Sequence, residues 1–182
     1  LWLELGSGLR RGEVLALKWD DILEDRVVIN KGLIRDGGKV VVKDEPKTKA
    51  GDRLVFVPKF IMDKIHALPH HKSGIVFPSE VGSYVAPWNF TRQFRNWREA
   101  VDKKMEEKVK KDPDFSYVPL ADARFHDLRH LFVSWMHRLG VTMTVSQAQA
   151  GHADIKTHVA RYSHASESEL IDAANRVGKE LE

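Results

Sequence analysis

Two histidines, an aspartate and an arginine lie within five consecutive positions of the segment FHDLRHLF, residues 125–132. His126 and His130 are four residues apart, a spacing at which one helix face can present two ligands to zinc. His126 and Arg129 are three residues apart, which places an acid–base group and a planar cation on one helix face. An arginine fork binds phosphate oxygens, and a helix N-terminus favours an anion. The segment is therefore a candidate zinc site, phosphate site or ordinary polar helix start.

The residue types around the histidines disfavour zinc. A helical zinc motif of the H-E-x-x-H type carries Glu beside its first histidine, but Asp127 stands here. Arg129 would also place a permanent positive charge beside the metal. The chain contains no cysteine, which excludes disulfides, cysteine-ligated zinc and a cysteine nucleophile, and which permits a reducing cytoplasm. We therefore expect no metal ligands, and a phosphate site and a solvated polar face remain as alternatives.

The helix that must position this motif is predicted over residues 126–139. On a helical wheel its large apolar residues share one face, and we expect that face to enter the core: Leu128, Leu131, Phe132, Trp135 and Leu139. The polar residues fall on the opposite face, towards solvent or a cleft: His126, Arg129, His130 and His137.

Elsewhere the pattern predicts short strands followed by helices. The turn Asp36-Gly37-Gly38 favours a hairpin, and the β-type runs make 26–58 a small antiparallel sheet. Pro87 begins a long helix that is interrupted by the loop-like segment 110–120. Further helices are predicted over 10–19, 59–68, 144–150, 155–162 and 167–181. The predicted fold class is mostly α with a small antiparallel β-sheet near the N-terminus, that is, α+β.

The composition is typical of a soluble globular domain, and the positive net charge fits a polyanionic binding partner. The 182 residues are 42% hydrophobic and 30% charged, and no apolar run is long enough to span a membrane. The net charge is +3, with Lys and Arg concentrated at 35–53 and 92–111. The Arg92/Arg95 side of the long helix is our expected contact with such a polyanion. Because the chain opens without a methionine, we expect a fragment from which N-terminal material is missing.

Five short motifs occur in a recognisable order: GLRRGE (8–13), PKTKAG (46–51), HDLRH (126–130), AGH (150–152) and RYSH (161–164). Together they resemble the catalytic domain of the tyrosine recombinases, the phage integrase family, over essentially the whole chain. The resemblance implies a single catalytic domain, 1–182, with the tyrosine recombinase catalytic-domain fold. It also implies that the fragment lacks an N-terminal DNA-binding region.

The resemblance also implies a set of site residues. Arg10 would bind the scissile phosphate, with Glu13 orienting it, and Arg129 would be the second phosphate clamp. His126 would transfer a proton and bind phosphate. The general acid would be Lys49 on the hairpin loop, with Lys47 as the alternative.

Two further positions complete the implied site. His152 would donate a hydrogen bond to a phosphate oxygen, and Tyr162 would be the nucleophile. The other two tyrosines, Tyr84 and Tyr117, lie in loops and are interpreted as surface aromatics. Ala150 replaces the leucine usual in this motif, which weakens packing beneath the loop but keeps His152 in place.

The implied function is site-specific DNA recombination through a 3′-phosphotyrosyl intermediate, without metal, ATP or other cofactor. The implied partners are double-stranded DNA and three further copies of the chain, in a homotetramer on DNA, in the cytoplasm and away from the membrane. A type IB topoisomerase and a catalytically inactive DNA-binding module are the alternatives. The apolar face of helix 167–181 fits docking on its own chain or on a neighbour.

Overall fold

The computed structural model describes residues 1–44, 53–112, 114–120, 122–151 and 167–181. Within these ranges the chain is mostly helical, with two short antiparallel ladders near the N-terminus, which confirms the predicted fold class. The helices are α1 Trp2–Ser7, α2 Arg11–Ala16, α3 Lys59–His66, α4 Pro87–Lys111, α5 Phe125–Arg138, α6 Met143–Ala150 and α7 Glu167–Leu181, and the strands are β1 Arg26–Ile29, β2 Lys31–Asp36, β3 Lys39–Asp44 and β4 Arg53–Phe56. None of these helices combines the length and the apolar character needed to cross a bilayer.

The strands form two separate ladders rather than the single sheet expected from the sequence. β2 and β3 form a hairpin around Gly37 and Gly38, which both have positive φ, as a tight two-residue turn requires. β1 pairs antiparallel with β4, with Val27 opposite Val55, and both side chains are buried. The β1–β4 ladder therefore belongs to the core, whereas the hairpin packs on α2 through Leu33.

The helix predicted over residues 10–19 ends earlier, at Ala16. Leu17 adopts an extended backbone, and its carbonyl accepts a hydrogen bond from the N–H of Val76. The N–H of Trp19 donates in turn to the carbonyl of Gly74. These long-range backbone bonds satisfy groups that another helical turn would have used, so tertiary pairing overrides local propensity.

Two apolar clusters hold the fold together. The first joins the β1–β4 ladder to α1, α2 and α3, and includes Leu9, Val27, Ile29, Val55 and Ile61. The second joins α5, α6 and α7, and includes Phe132, Met136, Val145, Ala173 and Val177. Burying each such large side chain contributes about 1.5–3 kcal/mol. α7 thus packs on its own chain in this structure through Ala173 and Val177.

The buried face of α5 differs from the one predicted. Phe125, Arg129, Phe132 and Met136 are the buried residues of this helix, whereas Leu131 is exposed. These four positions recur at intervals of three and four, so they form a single stripe. Arg129 was assigned to the polar face because of its residue type, although its position lies on this stripe. The helix therefore carries a guanidinium into the interior.

Candidate active site

Arg10 is fixed at the start of α2 by Glu13. The Arg10 backbone N–H donates to Oε2 of Glu13 at 2.8 Å, and its guanidinium donates to Oε1 at 2.8 Å. The carboxylate satisfies an N–H that would otherwise be unpaired at the helix N-terminus. Glu13 therefore orients Arg10, as expected, and leaves the arginine side chain 40% exposed.

The guanidinium of Arg129 lies in the same region, on the side of the protein interior. It is only 2% exposed, and its Nη1 donates to the carbonyl oxygens of Gly8 and Ala150, each at 2.5 Å. Gly8 has a φ of 66° at the C-terminal end of α1, and a Cβ there would overlap the ring of Phe132. Only glycine allows this backbone to lie close enough to α5 to accept from Arg129.

The C-terminal end of α6 brings the two arginines together. Ala150 offers its carbonyl to Arg129, and the next carbonyl, that of Gly151, accepts from Nη2 of Arg10 at 2.5 Å. Carbonyls at a helix C-terminus carry partial negative charge, which favours cations. Two guanidinium groups that are distant in sequence are therefore anchored on adjacent residues, immediately before His152.

Gln149 determines where this end of α6 lies. It is completely buried, its Nε2 donates to the carbonyl of Phe56 at 2.8 Å, and its Oε1 accepts from the N–H of Phe56 at 3.2 Å. The amide thus pairs with the edge of β4 as a neighbouring strand would. The β1–β4 ladder consequently positions the carbonyls that hold Arg10 and Arg129.

A cationic groove of about 510 Å³ opens beside Arg10. Its basic lining residues come from α2, α4 and the start of α5: Arg10, Arg11, Arg95, Arg98, Arg124 and His126. Of the two α4 arginines expected to face DNA, Arg95 lines this groove, whereas Arg92 bonds Asn89 on its own helix at 3.4 Å. The groove is the natural path for a polyanion that approaches Arg10.

The charged surroundings shift the pKa values of the site residues. Desolvation by the surrounding protein, the neighbouring His130 and the charge of Arg129 lower the pKa of His126, which favours a neutral imidazole. Burial and the charge of Arg10 lower the pKa of Arg129 to about 10, so it remains a cation at neutral pH. Burial opposes ionisation of Glu13, but hydrogen bonding and charge from Arg53 and Arg10 outweigh it and lower its pKa.

The two tyrosines within the described ranges are poor nucleophiles. The Tyr117 hydroxyl donates to Oδ1 of Asp102 at 2.5 Å, and desolvation together with that carboxylate raises its pKa to about 12. Burial raises the pKa of Tyr84 as well. A phenol that attacks phosphorus needs the opposite shift, since the phenolate is the reactive form. The surroundings of both hydroxyls thus disfavour the phenolate.

Four of the candidate residues, Lys49 with its alternative Lys47, His152 and Tyr162, lie outside the described residues. Among the residues that the structure describes, no group of three or more acidic or histidine side chains could hold a metal. His126 and His130 do approach each other, with ring centroids 4.9 Å apart, but as a perpendicular aromatic pair.

One residue of this network was missed from the sequence. Arg53 begins β4, and its guanidinium forms an ion pair with Glu13 at 2.8 Å. An arginine before an apolar strand gives no local signal of such a role. Only the pairing of β4 with β1 and its contact with α6 bring Arg53 to the site.

Comparisons with known proteins identify the family of this chain. Residues 1–169 match the Phage integrase family. The tyrosine recombinase XerC-like protein of Caldanaerobacter subterraneus subsp. tengcongensis is 26% identical, over 89% of this chain and 44% of its own length. The ICEBs1 integrase of Bacillus subtilis is 28% identical, over 87% of this chain and 42% of its own. The chain thus spans less than half the length of these relatives.

Among solved structures, the Tn1549 transposon integrase in complex with circular intermediate DNA has a similar fold. The TM-score is 0.66 at 20% identity, over all of this chain (100%) and 58% of that one. XerA recombinase aligns with a TM-score of 0.50, also at 20% identity, over 93% of this chain and 54% of its own. Sequence match, fold and the paired arginines agree: the chain belongs to the phage integrase family of tyrosine recombinases, enzymes that cleave and rejoin DNA.

Proposed function

We propose that this chain, as a catalytic domain spanning 1–182, recombines DNA at specific sites through a 3′-phosphotyrosyl intermediate on Tyr162. The observation that carries the proposal is the anchoring of Arg10 and Arg129 on adjacent carbonyls at the end of α6. That arrangement concentrates positive charge beside a basic groove that also contains His126.

The proposed chemistry is phosphoryl transfer to a phenol. Tyr162 attacks the phosphodiester, the 5′ oxygen leaves with a proton, and the phosphate remains on the tyrosine until another 5′-hydroxyl displaces it. Arg10, the more exposed arginine, binds the phosphate oxygens, and Arg129 adds its fixed charge from beneath. Charge that develops on those oxygens is stabilised by cations already in place, usually the largest contribution to such catalysis.

The remaining roles are assigned by family resemblance. Lys49, with Lys47 as the alternative, protonates the leaving 5′ oxygen, His126 transfers a proton, and His152 donates to a phosphate oxygen. Side-chain cations perform the work that a metal performs in other nucleases, and the bond energy is kept in the phosphotyrosyl link. We therefore expect the reaction to proceed in EDTA and without ATP.

The test is covalent trapping on a suicide substrate with a nick beside the cleavage site. We expect a protein–DNA adduct that maps to Tyr162 and that disappears in Tyr162→Phe. The matched controls Tyr84→Phe and Tyr117→Phe should retain the adduct. Failure of the unaltered chain to form any adduct would favour an inactive DNA-binding module. Relaxation of supercoiled DNA that lacks a target site would favour a topoisomerase.

The proposed partners are double-stranded DNA, bound along the groove lined by Arg11, Arg95 and Arg124, and further copies of the chain in a homotetramer. Phosphate contacts of this kind make affinity fall steeply with salt. We expect the protein to act in the cytoplasm, where its DNA substrate lies. Sizing of the protein on a two-site DNA by light scattering tests the tetramer, and a mass of one protein copy for each site would contradict it.

A further inference from the structure

Arg53 contacts both groups that hold Arg10. Its Nη2 donates to Oε2 of Glu13 at 2.8 Å, and that same oxygen accepts the backbone N–H of Arg10. Nη2 of Arg53 also lies 3.5 Å from the carbonyl oxygen of Ala150, at the end of α6. Its side chain is only 12% exposed, so it supports the site from within and does not face the groove.

The backbone at the end of α6 lies against the guanidinium of Arg53. Gly151 has a φ of 68°, and a Cβ at this position would overlap the guanidinium of Arg53. The carbonyl of this same glycine accepts the hydrogen bond from Arg10. The guanidinium of Arg53 therefore fills the space between Glu13 and the peptide that anchors Arg10.

The charge on Arg53 decides the state of Glu13. Glu13 is buried, and burial alone disfavours its carboxylate. The ion pair with Arg53 compensates this cost, so that two acceptor oxygens remain available to Arg10. Loss of Arg53 would leave a buried carboxyl that prefers its protonated form, which accepts from Arg10 less well.

We propose that Arg53 is a positioning residue of the phosphate clamp, holding Glu13 and the end of α6 in the arrangement that orients Arg10. The inference rests on the proposed DNA-cleaving function and adds to it a residue that does not touch the DNA. It predicts that Arg53 and Glu13 act together, so the effects of altering the two residues should be less than additive.

The first test does not depend on cleavage. The carboxyl carbon of Glu13 is followed by NMR through a pH titration in the unaltered chain, in Arg53→Met and in Lys59→Met. Lys59 is an exposed, ion-paired lysine on α3 and serves as the matched control. We expect Glu13 to titrate at a higher pH only in Arg53→Met. Unchanged titration in that variant would overturn the proposal, whether or not the chain cleaves DNA.

The second test measures single-turnover cleavage of the nicked suicide substrate. Arg53→Met should slow adduct formation on the order of 100-fold, the cost of a small misplacement of a catalytic group. DNA affinity should change little. The rate of adduct formation by Arg53→Met should fall further as the pH is lowered, because Glu13 then becomes protonated. Lys59→Met should react at the rate of the unaltered chain.

Two further variants make this result decisive. Arg53→Lys keeps the charge beside Glu13, so we expect it to recover much of the rate and the original pH profile. If Arg53→Met fails to fold, the rate and the pH profile of Arg53→Lys still test the proposal. Adding Arg53→Met to Glu13→Gln should slow the reaction by much less than Arg53→Met slows the unaltered chain, and fully additive losses would overturn the proposal. Absence of any adduct in the unaltered chain would instead refute the proposed function.

Discussion

Replacement of Glu4 by glutamine should change how the stability of the fold depends on pH. Glu4 lies in α1 and is 1% exposed, and neither carboxyl oxygen has a hydrogen-bond partner within the described ranges. Burial raises its pKa to about 9, although the charge of Arg129 acts in the opposite direction. The side chain is therefore a neutral acid at physiological pH.

The direction and size of this change in stability follow from the raised pKa of Glu4. The folded protein keeps a proton that the unfolded chain releases above a pKa of 4.5, so folding is favoured most below this pH. Stability is then lost as pH rises towards 9. The slope for one proton is about 1.4 kcal/mol per pH unit. Glutamine carries no proton to lose, so Glu4→Gln should gain about 3 kcal/mol over the unaltered chain between about pH 6 and 8.

Urea unfolding at a series of pH values measures this difference. The exposed Glu80→Gln is the matched control and should leave the profile unchanged. Parallel pH profiles for the unaltered chain and Glu4→Gln would show that Glu4 is ionised in the folded protein. That result would refute the argument from burial.

Further predictions concern the anchors and the groove. Gly151→Ala should slow adduct formation on the order of 100-fold, because the added Cβ would overlap the guanidinium of Arg53. Gly140 is the matched control: it has a similar positive φ but no atom near an added Cβ, so Gly140→Ala should affect only stability. Gln149→Leu leaves two backbone groups unpaired and should cost about 2–5 kcal/mol in urea unfolding, and a loss below about 1 kcal/mol would contradict the role of this amide. Arg95→Ala should reduce the salt slope of DNA binding by about 1, whereas Arg92→Ala should leave it nearly unchanged, and equal slopes would exclude the groove as the DNA path.

The arrangement of the site gives a structural role to the short helix α6. Thr142 caps α6 at its start, where the side chain accepts from the N–H of Val145, and Gln149 ties its end to β4. The helix then presents two consecutive carbonyls to two guanidinium groups. Its direct contacts with the two arginines are therefore made by backbone carbonyls, while the Gln149 side chain fixes where they lie.

Much of the fold could be predicted from the sequence, wherever the signals are local. The hairpin follows from the Gly37–Gly38 turn, and α7 follows from the apolar spacing over residues 167–181, which the structure reproduces. α4 begins at Pro87, as a proline at the first helical position indicates. The family assignment rested on five motifs in order, and that combination proved sufficient.

Tertiary structure alone decided the features that depend on distant contacts. The backbone pairing of Leu17 with Val76 ended α2 early, and the second ladder required β4 to return beside β1. The burial of Arg129 and the contribution of Arg53 depend on carbonyls and a carboxylate from other elements. Residue types and spacing thus determine which groups the chain can offer to a phosphate. How those groups are held depends on backbone acceptors, whose positions exist only once the chain has folded.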